Sequence, residues 1–238
     1  MVEGLQLLGM ALEGGHQPLE VFYSREQFAA ETAPRLLQDL LDAGGRPHPV
    51  NAGVMQTLSE RDAPQGIMAT FARFEAEIEP LLEATPPSLI VILDRLQDPG
   101  NLGTLIRTAD AVAATAVILL EPCVDLFDPK TVRGSMGSIF SLPIAHTNHP
   151  PTLFERLRRN YRLTGADGKR GNPPWQADDT ALRGNTALVL GNEARGLSSD
   201  LRSQLNHWTR LPMPGHTESL NVAAAGAVLM YQWFQQNG

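Results

Sequence analysis

Three short polar stretches hold the side chains of this sequence best suited to chemistry. Asp94–Thr104 carries Asn101 between Gly100 and Gly103 and runs into a helical pattern with Arg107 one turn inside it. Gly191–Leu197 sets Glu193 in a glycine turn, where a carboxylate can take up backbone amides or a cation. Met213–Asn221 gathers His216, Thr217, Glu218, Ser219 and Asn221 at the mouth of a long apolar helix, Val222 onward. First-turn amides point outward without partners, so a buried helix with polar groups only at its mouth suits an anion or a polarised ligand. Each stretch also has a plainer reading. Ser219 can cap the helix by accepting from the Val222 amide, Asn101 can be a turn residue or cap, and Arg107 can pair with Asp110.

Several chemistries are disfavoured, a nucleotide-dependent oxidoreductase remaining as a competing reading. Gly100 and Gly103 lack the spacing of a dinucleotide fingerprint, and the Gly-Lys-Ser/Thr of a phosphate-binding loop is missing. Ser219 and His216 lie close together, but no Gly-x-Ser-x-Gly elbow presents the serine as a nucleophile. The six histidines show no metal-ligand spacing, and no metal is expected. Cys123 is the only cysteine, which rules out an internal disulfide and points to a reducing, cytoplasmic setting. No apolar run is long enough to span a bilayer, and the first residues lack a basic leader, so no signal peptide is expected.

The elements that must position the three stretches fall into two groups. Residues 3–13, Ala33–Leu41 and a segment after Pro47–Val50 read as helices and connections around strands at Leu19–Ser24 and Gly66–Phe71, a small α/β unit. Glu79–Ser88, with three prolines, is the linker. We therefore expect domains at 1–80 and 89–238 joined through 81–88. From Leu89 the chain alternates strands (Leu89–Leu93, Ala116–Leu120, Leu142–Ala145, Thr186–Gly191) with helices (Leu102–Ala114, Thr152–Tyr161, Leu197–Leu205), which predicts a mostly parallel sheet covered on both faces. The last helix is apolar nearly all round and is expected to be buried. In such sheets ligands gather outside the carboxyl ends of the strands, where all three polar stretches begin.

Charge divides along the same line. Residues 1–84 carry 13 acidic and 5 basic side chains, residues 85–238 carry 13 and 14, and the whole chain has net charge −7. Arg156, Arg158, Arg159, Arg162, Lys169 and Arg170 form one basic run, either a solvated face or a phosphate-contacting patch.

Taken together, NLGTLIRTADA from Asn101, LVLGNEARGLS from Leu188 and LPMPGHTESLNVAAAGAVLMYQW from Leu211 resemble the SpoU family of RNA 2′-O-ribose methyltransferases, of the SPOUT class. The likeness covers residues 89–238. Residues 1–80 look more loosely like that family's appended substrate-recognition domain, of ribosomal-protein L30e-like α/β fold. The resemblance implies an α/β catalytic domain with a deep trefoil knot and a homodimer whose active site lies at the subunit interface. It implies S-adenosylmethionine held by Leu190, Gly191, Leu211, Met213, Ser219 and Leu220. It also implies catalytic roles for Asn101, Arg107, Glu193, Ser219 and Asn221. The substrate would be RNA, ribosomal in preference to transfer RNA, the alternative being a non-catalytic RNA-binding protein of the same fold. The family's proposed proton acceptor is the arginine. A guanidinium, with a pKa above about 12, is better suited to orienting phosphate and ribose oxygens, and the identity of the acceptor is open. With residues 1–84 so acidic, Arg133, Arg156, Arg158 and Arg159 are the expected RNA contacts.

Overall fold

The structure, a computed structural model, describes residues 1–176 and 180–238. Two compact units emerge, Met1–Phe74 with Met136–Ser141, and Glu75–Ser135 with Leu142–Gly238.

In the first unit β1 (Val2–Glu3), α1 (Leu5–Glu13), β2 (Pro18–Tyr23), α2 (Ala33–Asp42), β3 (Arg46–Pro49), α3 (Ala52–Leu58) and β4 (Ile67–Phe71) follow in order. The four strands form one sheet in the order β1-β4-β2-β3. Pro47–Val50, expected as a connection, is instead largely strand: β3 runs parallel to β2. It lies at the sheet's edge, where residues without an N–H can be tolerated. α1 and α2 turn leucines and alanines inward, with Leu8, Ala11 and Leu40 fully buried. Phe140, from the Met136–Ser141 segment, completes this core against His16, Phe71 and Phe74, with ring centroids 5.4–6.1 Å away.

The second unit contains α4 (Ile78–Leu81), β5 (Leu89–Asp94), α5 (Pro99–Ala111), β6 (Ala116–Leu120), α6 (Pro129–Gly134), β7 (Ile144–Thr147), α7 (Pro150–Leu157), β8 (Arg162–Ala166), β9 (Thr186–Leu190), α8 (Ser199–Arg202), β10 (His207–Thr209) and α9 (Val222–Asn237). Its sheet is wholly parallel, in the order β10-β8-β9-β5-β6-β7. β5 is buried along its whole length, as a central strand covered on both faces must be. Pleating sends alternate residues to opposite sides. Ile90 and Ile92 join Ile118 and Val189 against Phe154 and Leu157 of α7 and Leu201 of α8. The opposite face is covered by α5 and α9, which pack against one another. From β5 the chain builds outward through β6 and β7; β9 returns to pair β5 on its other side. The loops after β5 and β9 thus leave neighbouring strands at the point where strand order reverses, the place such sheets reserve for ligands.

Three expectations need correction. Part of the proline-rich linker is helical, as α4, and Ala76 N already donates to Ile144 O, 2.9 Å away, inside the second unit. The Leu197–Leu205 helix is a single turn, because the chain leaves it at Ser203 to enter β10, a strand whose HWT sequence carries little apolar signal. The last helix is not buried all round: Val228, Tyr231 and Phe234, at helical spacing, are about half exposed (46%, 53% and 47%). Its inner face is tight. A Cβ on Gly226 would stand 2.5 Å from Leu105 Cδ2 and 2.8 Å from Leu190 Cδ1, so glycine is what lets α9 approach α5 and the end of β9. Gly226→Leu should therefore overpack a closed core and cost about 1–3 kcal/mol. A thermal melt should show a midpoint several degrees lower, and an unchanged midpoint would mean that α9 is not seated this closely.

Candidate active site

The site is built from two helix mouths and a glycine turn. Asp98 caps α5, its Oδ1 accepting from Asn101 N at 2.8 Å, with Pro99 at the first helical position, where its missing N–H costs nothing. Asn221, not Ser219, caps α9: its Oδ1 accepts from Ala223 N (2.9 Å) and Ala224 N (3.2 Å). This leaves Asn221 Nδ2 free to donate to Asn101 Oδ1 at 2.9 Å. Asn101 Nδ2 in turn donates to Glu193 Oε1 at 3.1 Å. The carboxylate also accepts from Asp98 N (3.2 Å) and Gln97 N (3.4 Å). Amide hydrogens at one end and an acceptor-only carboxylate at the other dictate which way both asparagine amides point. One residue from each of the three polar stretches is thereby joined in a single directional chain.

The turn that carries Glu193 is stapled to β5. Asn192 Oδ1 accepts from Ala194 N and Arg195 N, both at 3.0 Å, and its Nδ2 donates to Arg95 O at 2.9 Å. Asp94, only 2% exposed, accepts from Ser198 N at 3.0 Å and Arg95 Nε at 2.9 Å. Gly191 opens the turn, and a Cβ there would lie 2.4 Å from the Gly196 carbonyl carbon and Leu197 N. The backbone doubles back so closely that a side chain has no room. Asp94, Asn192 and Asp98 were not singled out as site residues from sequence. An acidic residue ending an apolar strand and a second one just before a proline were the available signals for Asp94 and Asp98.

Beside this chain lies a cavity of about 580 Å³. Leu190, Gly191, Leu211, Met213, Ser219 and Leu220 all line it, as do Glu193, Val222 and Leu229. Its far wall is polar, with Asp167, Lys169, Arg170, Arg202 and Arg210. Arg210 Nε is buried there without a hydrogen-bond partner. Apolar leucines over one part and guanidinium and backbone groups over the other suit a ligand with a flat heterocycle and a charged end.

The sequence model of the SpoU rRNA Methylase family matches residues 88–231. The chain belongs to that family. Residues 1–69 match a second model, the MRM3-like substrate binding domain. Among relatives, the 23S rRNA (guanosine(2553)-2′-O)-methyltransferase RlmP of Bacillus subtilis is 31% identical over 97% of this chain and 86% of its own. An AdoMet-bound rRNA methyltransferase from Sinorhizobium meliloti superposes with a TM-score of 0.83 at 31% identity, covering 98% of this chain and 86% of its own. The SpoU methyltransferase AviRb of Streptomyces viridochromogenes, in complex with AdoMet, does so with 0.85 at 27%, covering 99% and 89%.

Not every expected residue of this SpoU chain reaches the cavity. Arg107 is on α5, six residues beyond Asn101, which turns it about 120° around the helix axis. It is exposed and does not line the cavity. The expected RNA contacts are also dispersed. Arg156 is ion-paired with Glu79, Arg158 donates to Gln204 O at 3.0 Å, Arg159 is exposed, and Arg133 is half-buried and already has a partner. None of the four lines the cavity. Among the described residues, no group of three His, Cys, Asp or Glu side chains is placed to hold a metal.

The α5 mouth gives a pH-dependent test. The Asn101 amide, and more weakly Lys130 Nζ at 3.5 Å, hold the Asp98 carboxyl below its ordinary pKa, outweighing a smaller opposing effect of burial. A depressed folded-state pKa gives stability that is complete above the unfolded value of about 3.9 and lost as pH falls through the folded one. Asp98→Ala should cost about 1 kcal/mol at neutral pH through the lost cap. Asp98→Asn keeps a cap and removes the charge. Its melting-point deficit against wild type should therefore be larger at pH 7 than at pH 3; a deficit that grows on acidification would contradict the assignment.

Proposed function

We propose that this chain methylates the 2′-hydroxyl of a ribose in ribosomal RNA, with S-adenosylmethionine as cofactor. The observation that carries the reading is the Asn221–Asn101–Glu193 chain: three stretches far apart in sequence meet as one hydrogen-bonded unit against a cavity of cofactor size. The relatives named for 23S rRNA 2′-O-methylation and the AdoMet-bound neighbours support the chemistry, and their names favour ribosomal over transfer RNA.

The cavity's own residues fit the cofactor. Leu190, Leu211, Met213 and Leu220 offer apolar surface for an adenine. The backbone at Gly191 and Leu220, the Ser219 hydroxyl and the orphaned Arg210 Nε can meet its polar atoms. Once bound, S-adenosylmethionine supplies an electrophilic methyl group on a sulfonium. The protein's task is then to place a ribose oxygen in line with that methyl and accommodate the departing proton. Asn101 and Asn221 spend their amide groups on one another, on Glu193 and on the α9 amides, so their role is to lock the rim. Glu193 gathers the α5 mouth onto the β9 turn. Ser219 faces the cavity and helps to hold the methionine end.

The proposal includes a homodimer with a shared site. Two features of the single chain support it. Arg107 is turned away from its own cavity, and α9 exposes Val228, Tyr231 and Phe234 around a shallow apolar depression. A second copy laid on that face would bury the stripe, and it could bring Arg107 to its neighbour's cavity to orient phosphate and ribose. The trefoil knot and a cytoplasmic location belong to the same proposal. α9 seated between Leu105 and Leu190 suits a helix enclosed by earlier loops, and no helix of the described residues is long and apolar enough to cross a membrane.

Glu193→Gln and Asn221→Ala should each lower kcat/KM on ribosomal RNA by about 100-fold, roughly 2.7 kcal/mol of transition-state stabilisation. Their melting points should fall by only a few degrees. Labelled-methyl incorporation and melts on the same preparations decide this, and parallel losses in both would make the residues merely structural. Tyr231→Arg with Phe234→Glu should yield monomers by light scattering, with activity lost. A fully active monomer would remove the shared site.

A further inference from the structure

Arg202 lies outside the three polar stretches and the basic run, yet it touches two walls of the cavity and the strand beside them. Its Nε donates to Leu197 O at 3.0 Å, at the end of the turn that carries Glu193. Its Nη1 pairs with Asp167 Oδ2 at 2.8 Å, on the loop after β8. Its guanidinium carbon lies 6.0 Å from the ring centroid of Trp208, on β10. Asp167 is itself an anchor. Its side chain is 9% exposed, its Oδ1 accepts from Lys169 N (2.8 Å) and Arg170 N (3.2 Å), and its own N–H donates to Thr209 O at 3.1 Å. Burial by itself would raise the Asp167 pKa; the two amides and the Arg202 charge outweigh it and hold it low.

We infer that Arg202 is a positioning residue that sets the width of the cofactor cavity by tying the β8 loop, the β9 turn and strand β10 to one guanidinium. This rests on the proposed function for the identity of the cofactor. The residue type follows from geometry. Leu197 O and Asp167 Oδ2 lie on different loops, and a planar fork can donate to both at once, whereas a single ammonium on a flexible stem cannot hold both directions. Without the tie, the Glu193 turn keeps its staples to β5 through Asp94 and Asn192 but loses its hold on the opposite wall. The Asn221–Asn101–Glu193 chain would stay intact while the cavity beside it loosened.

The test uses the full-length chain with Arg202→Lys and, as the more disruptive variant, Arg202→Met. S-adenosylmethionine affinity is measured by calorimetry, RNA affinity with a ribosomal RNA fragment, and amide exchange across residues 191–198. Cofactor Kd should rise about tenfold in both variants, equivalent to roughly 1.4 kcal/mol. Exchange at 191–198 should quicken, while RNA affinity and kcat at saturating cofactor stay within a few-fold. Wild-type cofactor affinity in both variants, with only a lowered melting point, would overturn the inference. So would a loss confined to RNA binding, which would make this wall an RNA grip. A wild-type chain that binds no S-adenosylmethionine would defeat the proposed function and this inference with it, a result distinct from either of those.

Discussion

Two helices begin at the same rim of the parallel sheet, and each arrives with amides that no helical carbonyl can satisfy. The structure depends on how those amides are met. Asn221 takes two of them at the α9 mouth, Asp98 takes one at the α5 mouth, and Glu193 reaches over from the β9 turn to take the two just before α5. The Asn221–Asn101 hydrogen bond joins the two mouths. Because every group in this set has its direction imposed by a neighbour, the two helix mouths and the glycine turn are tied into one geometry. On the proposed reading, such a rim presents a ribose oxygen in one orientation, which in-line transfer requires.

The cavity follows from the same arrangement. The β9 turn forms one side of it, and the long connection from β10 to α9 closes over the space between that turn and the β8 loop. Its near wall is leucine and methionine, continuous with the core. Its far wall is an ionic cluster, in which a largely buried carboxylate is matched by a guanidinium and two amides. Such a carboxylate would be costly to bury alone, and the pairing turns that cost into a defined geometry. Apolar contact with one end of a ligand and charge complementarity with the other are therefore built on different strands and can be altered separately.

Residues 1–84 carry most of the chain's net negative charge, and residues 85–238 are near neutral. The arginines expected to contact phosphate are partly committed within the protein, Arg156 to Glu79 and Arg158 to a backbone carbonyl. By contrast, Lys169, Arg170 and Arg195 are exposed at the cavity itself, and Arg170 stands 5.1 Å over Trp208. Positive charge is thus available at the cavity itself, although residues 1–84 are acidic.

Much of this was legible in the residues. LIVIL, AVILL and TALVL announced buried parallel strands because a strand covered on both faces has no polar alternation. The three polar stretches could be located because loops at strand ends carry Gly, Asn, Glu and Ser for reasons of backbone geometry and hydrogen bonding. Short strands such as RPHP and HWT were not legible, since pairing with a neighbour, not intrinsic preference, makes them strands. Nor was the cap of α9, where Ser219 and Asn221 are both chemically suitable and only the path of the chain selects Asn221. Arg202 was invisible for the same reason: its partners lie on a loop thirty-five residues earlier and on the turn before its own helix. Local composition determined which segments were strands, helices and polar turns, because burial and backbone preference act over a few residues. The tertiary structure decided which polar groups face one another, because a hydrogen bond depends on position in space and not on separation along the chain.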